Sequence, residues 1–137
     1  MKKTIRFVAF ATVFFMLCLA LASCGGPNAD PIKALDALKE NGVDWAIKDD
    51  IALPITLKAF GVDDVDCVVS GTGKIDEEYS HITIIYFEEA EDADAEWEDV
   101  SKYADKEKEN INEADWVLKK SGKMIYFGTK NAIAAAK

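Results

Sequence analysis

The sequence predicts an α+β fold: a mainly antiparallel sheet built from two hairpins, each followed by a helix, with the helices on one face and one more helix on the N-terminal side. Three observations predict it. Val65, Cys67 and Val69 alternate with acidic or small residues, and Ile82 to Phe87 then forms an almost continuous β-prone run. The period next lengthens: Ala93, Trp97, Val100 and Ala104 recur at helical spacing. The succession returns from 115 to 137, around the turn residues Ser121-Gly122.

The chain opens on a leader. Lys2, Lys3 and Arg6 form a positive start, and residues 7–22 carry no charge. That apolar run falls short of the roughly 20 residues that span a bilayer, but suits a signal-peptide core with a small-residue cleavage site. At its end stands Leu21-Ala22-Ser23-Cys24. This stretch resembles the lipobox of bacterial lipoprotein precursors. The resemblance implies a thioether-linked diacylglycerol on Cys24, cleavage between Ser23 and Cys24, and acylation, of the palmitate kind, of the new amine. It divides the chain into a signal peptide over 1–23, a flexible tether over 24–29 and a single globular domain over 30–137, and it covers the leader alone.

Beyond the small, turn-prone tether, Asp30 is an N-cap and Pro31 a first helical residue, with Ile32, Leu35 and Leu38 in phase and Gly42 past the end. This predicts a helix over 31–40. Val43, Trp45 and Ile47 alternate with Asp44, Ala46 and Lys48, which predicts a strand over 43–48. Pro54, Leu57 and Phe60 suggest a short helical turn closed by Gly61. A strand over 64–71 leads into a loop, Gly71-Thr72-Gly73 with Lys74 to Glu78, and then into a central strand over 81–88. The helix over 89–109 has acids in its first turns and Lys106 and Lys108 in its last, which suits the helix dipole. Trp97 is expected to supply most of its buried area. The second hairpin joins 116–120 to 123–127, and Gly128-Thr129 leads into a last helix over 130–136.

Charge and cysteines bound the function. The chain of 137 residues has a formal charge of −9; without the leader, 13 basic residues face 25 acidic ones over the 114 from Cys24 to Lys137, a charge of −12. Nucleic acid is excluded as a partner, because binding it needs a basic footprint. Lying flat on anionic lipid is disfavoured for the same reason, so the domain is expected to stand off the membrane on its lipid. Cys18 leaves with the leader and Cys24 is committed to lipid, so Cys67 has no partner for an intramolecular disulfide.

Chemistry is sparse. Cys67 and His81 are the one remaining thiol and the one imidazole. A hairpin closing near Asp76 sets them four positions apart along the strands, about 13 Å, beyond the reach of a dyad. Asp92, Asp94 and Glu96 alternate like the start of a calcium loop, but Trp97 and Tyr103 stand where the required glycine and glutamate belong. They read as the solvated face of a helix. One histidine and one thiol make no zinc set, and no cofactor motif is present. Trp45, Trp116, Tyr79, Tyr86, Tyr126 and Phe127 are expected mostly in the core, with any on an open face available to a partner. The expectation is therefore a lipid-anchored extracytoplasmic domain, at the cell membrane or outer membrane, that binds an envelope protein or glycan and is not an enzyme. The alternative is a small envelope hydrolase using carboxylates such as Asp64, Asp66 or Glu88.

Overall fold

The computed structural model describes residues 26–111 and 115–137; the leader and Cys24 lie outside the described residues. Helix α1 spans Pro31–Glu40, strand β1 Ile47–Lys48, helix α2 Ala52–Ala59, strand β2 Val65–Ile75 and strand β3 Glu78–Phe87. Helix α3 spans Ala90–Ile111, strands β4 and β5 Trp116–Ser121 and Met124–Thr129, and helix α4 Lys130–Ala135. The strands form one sheet in the order β1-β2-β3-β5-β4, each neighbouring pair antiparallel. The α+β class, the antiparallel sheet and both hairpins agree with the sequence.

The helices do not keep to one face. Residues that alternate along β3 enter two separate cores. Ile82, Ile84 and Tyr86 pack with Cys67, Val69 and Tyr126 under α1 and α4. Ile85 and Phe87 pack with Val68, Ile125 and Phe127 under α2 and α3. A strand apolar on both sides needs cover on both sides, and the sheet obtains it. In α3, Val100 and Tyr103 are buried while Trp97 is only partly so, its ring lying 5.8 Å from the Lys120 ammonium. The helix thus shares its burial among Trp97, Val100, Tyr103, Ala93 and Ala104.

Local chemistry accounts for the ends of elements. Asp30 caps α1: its Oδ1 accepts from the backbone N–H groups of Ile32 at 2.9 Å and Lys33 at 3.3 Å. The β2–β3 hairpin closes in two residues, Asp76 and Glu77, both with positive φ, so it is tighter than the loop the sequence suggests. Gly71 and Gly73 lie within β2 instead. They admit a close crossing: a Cβ on Gly71 would stand 2.8 Å from Val43 Cγ1, and one on Gly73 would stand 3.1 Å from Val43 Cα.

That crossing also explains why the strand expected over 43–48 shrinks to two residues. The Val43 N–H donates to Leu38 O at 2.9 Å, closing off α1, and Val43 and Ala46 both turn inward over the two glycines. Burial at 43 and 46 breaks the alternation, and Trp45 is left outside. The second hairpin turns at Gly122-Lys123, one residue later than expected, with Ser121 paired to Met124. The segment over 26–29 is not a free tether. Pro27 is buried, the Asn28 N–H donates to Ala136 O at 2.7 Å, and the Tyr86 hydroxyl donates to Asn28 O at 2.8 Å.

Candidate functional site

Cys67 and His81 do not meet. Closure at Asp76-Glu77 pairs Cys67 with Tyr86 and His81 with Thr72, which separates the two by an odd number of positions and puts them on opposite faces of the sheet. Cys67 belongs to the core under α1 and α4, where burial pushes its thiol up to about 11, so it is protonated at neutral pH. His81 points toward α3. Its ring stacks on Trp116 with centroids 6.0 Å apart and planes 12° apart. Its Nε2 lies 3.9 Å from Glu107 Oε2, too far for a hydrogen bond, and burial dominates, lowering the imidazole to about 4. Both ring nitrogens of His81, the Trp116 indole nitrogen and Ser80 Oγ are buried without a hydrogen-bond partner among the described residues.

The acidic residues stay apart by group. Asp76, Glu77 and Glu78 sit at the opposite end of the β2–β3 hairpin from Asp63, Asp64 and Asp66, as expected. Asp92, Asp94 and Glu96 lie within α3, whose period spreads them around the helix rather than around a cation. The sequence did not signal one juxtaposition: the Glu96 carboxyl is raised by burial first, accepts from the Asp63 N–H, and feels Asp63, Asp99 and Asp64. Among the described residues no group of three or more histidine, cysteine or carboxylate side chains could hold a metal ion. Asp64, Asp66 and Glu88 are all exposed to solvent.

Apolar surface accumulates elsewhere. Trp45 is 79% exposed, Ile47 49%, Ile51 82% and Ile55 67%. They occur between residues 45 and 55, at the β1 edge of the sheet, and each follows from a local cause. The inward turn of Val43 and Ala46 sends Trp45 and Ile47 the other way. Asp49, with φ at 56°, then bends the chain: its N–H donates to Val68 O at 2.8 Å and its Oδ1 accepts from the Val68 N–H at 3.0 Å. Helix α2 starts immediately after and is apolar on two sides. Leu53, Leu57 and Phe60 turn to the core, while Ile51 and Ile55, one turn apart, turn to solvent. Single exposed apolar side chains are ordinary, but four of them within eleven residues, in and beside the edge strand, have the composition of an interaction surface. Of the six aromatics expected mostly in the core, Tyr86, Tyr126 and Phe127 are buried and Trp116 partly so, whereas Tyr79 and above all Trp45 are exposed.

A second feature lies at the far corner. A cavity of about 460 Å³ is bounded by Pro27, Tyr86, Met124, Lys123 and Lys137, where residues 26–29 pass the β4–β5 turn. Compared with protein families, curated proteins and solved structures, the chain matches none. Among the described residues no helix is long and apolar enough to cross a membrane.

Proposed function

We propose that this protein is a lipid-anchored binding module of the bacterial envelope, without catalytic activity of its own, that engages an envelope protein through Trp45, Ile47, Ile51 and Ile55. The exposed apolar edge is the observation that carries the reading. A helix with a second apolar side, next to an outward tryptophan, has the composition of an interface centre, where aromatic residues dominate binding energy. The lipobox-like Leu21-Ala22-Ser23-Cys24 supports the anchored state. The distribution of Cys67 and His81 on opposite faces weighs against thiol chemistry, and of the carboxylates named for the hydrolase reading, Asp66 and Glu88 are exposed and Asp64 stands near Glu96 and Asp63 at the surface.

A photo-crosslinking amino acid at position 45, introduced in intact producing cells, is expected to give one discrete protein adduct; the same group at exposed Asp105 on α3 gives none. The double variant Ile51→Glu and Ile55→Glu is expected to abolish that adduct. Its stability should change by no more than about 0.5 kcal/mol, since both side chains are already in solvent. Equal labelling from positions 45 and 105, an adduct with glycan alone, or an adduct that survives the double variant would each overturn the proposed protein-binding edge.

A further inference from the structure

We propose that the corner where the chain leaves toward Cys24 docks on the headgroup layer of the bilayer that holds the anchor, fixing the domain in one orientation rather than letting it swing. This rests on the lipid-anchored reading above and replaces the expectation of a domain standing off on a flexible tether. The chain is clamped almost up to the anchor. Gly26 lies against the Tyr126 ring, so closely that a Cβ there would stand 2.8 Å from the hydroxyl oxygen. Pro27 is buried, and Asn28 is held on both its backbone groups by Ala136 and Tyr86. Only two Cα–Cα links separate Gly26 from Cys24, a reach of at most about 7–8 Å. That is shorter than the roughly 8–10 Å over which salt screens surface charge, so this corner feels the headgroups directly.

The chemistry of the corner fits lipid phosphate. Lys123 lies in the β4–β5 turn and, with Lys137, bounds the cavity beside Pro27 and Asn28. Lys119 stands opposite Tyr126 in the register, on the same face as Gly26. Of the acids at this end, Asp63, Asp64, Glu91 and Asp92 precede β2 or begin α3 and so belong to the other side of the sheet, while Asp30, whose charge acts on the Tyr86 hydroxyl, and Glu88, next to the Phe87 N–H that donates to Lys123 O, stand beside the lysines. Contact is therefore confined to the lysine corner, which agrees with a domain too acidic to lie flat. The apolar edge at β1 lies three strand spacings from β5, roughly 14 Å, and on the opposite border of the sheet from the β4–β5 hairpin. Docking at one border leaves the other turned toward the envelope.

The test uses the chain from Cys24 with Cys67→Ala, joined chemically through the Cys24 thiol to a maleimide-headgroup lipid. The bilayer discs are phosphatidylcholine with a minority of phosphatidylglycerol and a gadolinium-chelate lipid, and backbone amide signals are recorded. The signals of Gly26, Asn28, residues 121–123 and residues 136–137 should be lost. Those of Asp76 and Glu77, a hairpin length of roughly 33 Å away, and of Trp45 and Ile55 should persist. Lys119→Glu with Lys123→Glu, or a Gly-Ser spacer between Gly25 and Gly26, should convert this into an even attenuation, with signal dispersion showing that the fold is kept. Even attenuation in the unaltered chain, or first loss at Trp45, Ile51 and Ile55, would overturn the proposal. Because the coupling is chemical, either result leaves lipidation of Cys24 in cells as a separate question.

Discussion

A Gly128→Ala variant is expected to lose at least about 3 kcal/mol of folding stability, with a melting temperature lower by about 10–20 °C. Gly128 lies in β5 between Ile82 of β3 and Val117 of β4, at φ 149°, a conformation L side chains rarely adopt. A Cβ there would run into the His81 carbonyl oxygen and stand 2.8 Å from Ile82 Cα. Both obstacles are backbone of the central strand, so relief requires parting β3 from β5. Thermal unfolding followed by circular dichroism reads the effect. The control is Gly122→Ala: its φ is 58°, but no atom of the described residues lies within 4 Å of the added carbon, so about 1–2 kcal/mol is expected for the conformation alone. Equal losses at the two positions would mean that the close approach of β3 and β5 at Gly128 is wrong.

Acid should destabilise the domain through His81. Burial lowers its pKa in the folded state to about 4, against about 6.5 when unfolded, so the unfolded chain binds the proton more readily. Above pH 6.5 both states are neutral at this residue and nothing is lost. As pH falls from 6.5 toward 4, stability declines by up to about 3 kcal/mol, and below 4 this contribution is constant. Glu107, 3.9 Å away, is the one carboxylate in ion-pair range among the described residues, and it works against the decline. A His81→Phe variant keeps a ring against Trp116 while removing the proton site. Urea unfolding at pH 7 and pH 4, read by far-UV circular dichroism, should show the native protein losing about 3 kcal/mol more than the variant. Equal losses would show that the imidazole is not held neutral by its surroundings.

Much of the fold was legible because short-range signals dominate it. Asp30-Pro31 set the start of α1, and the 3.6-residue period from Ala93 to Ala104 set α3. The continuous apolar run in β3 already required two covered faces, whereas the hairpin-helix repeat called for helices on one; α1 and α4 supply the second cover. Gly71 and Gly73 illustrate a different limit of sequence reading. A glycine marks either a turn or the approach of another backbone, and only the crossing of residues 42–46 distinguishes them. The same crossing put Trp45 outside when alternation had called for it inside. The apolar edge was thus hidden in a residue that looked like core, and the outer isoleucines of α2 in a helix too short for its period to be read. The one-residue change in hairpin closure had the largest chemical consequence, since it moved Cys67 and His81 from one face to two.

That a lipid on a single sulfur holds this acidic domain at the bilayer is the claim from which the proposed binding role and its orientation both follow. Intact-mass spectrometry of the protein purified from its native membranes tests it most directly. A chain beginning at Cys24 and carrying a diacylglycerol thioether, with or without a further acyl group on the amine, is the predicted result. A chain that retains residues 1–23, or that begins at an unmodified Cys24, would contradict it.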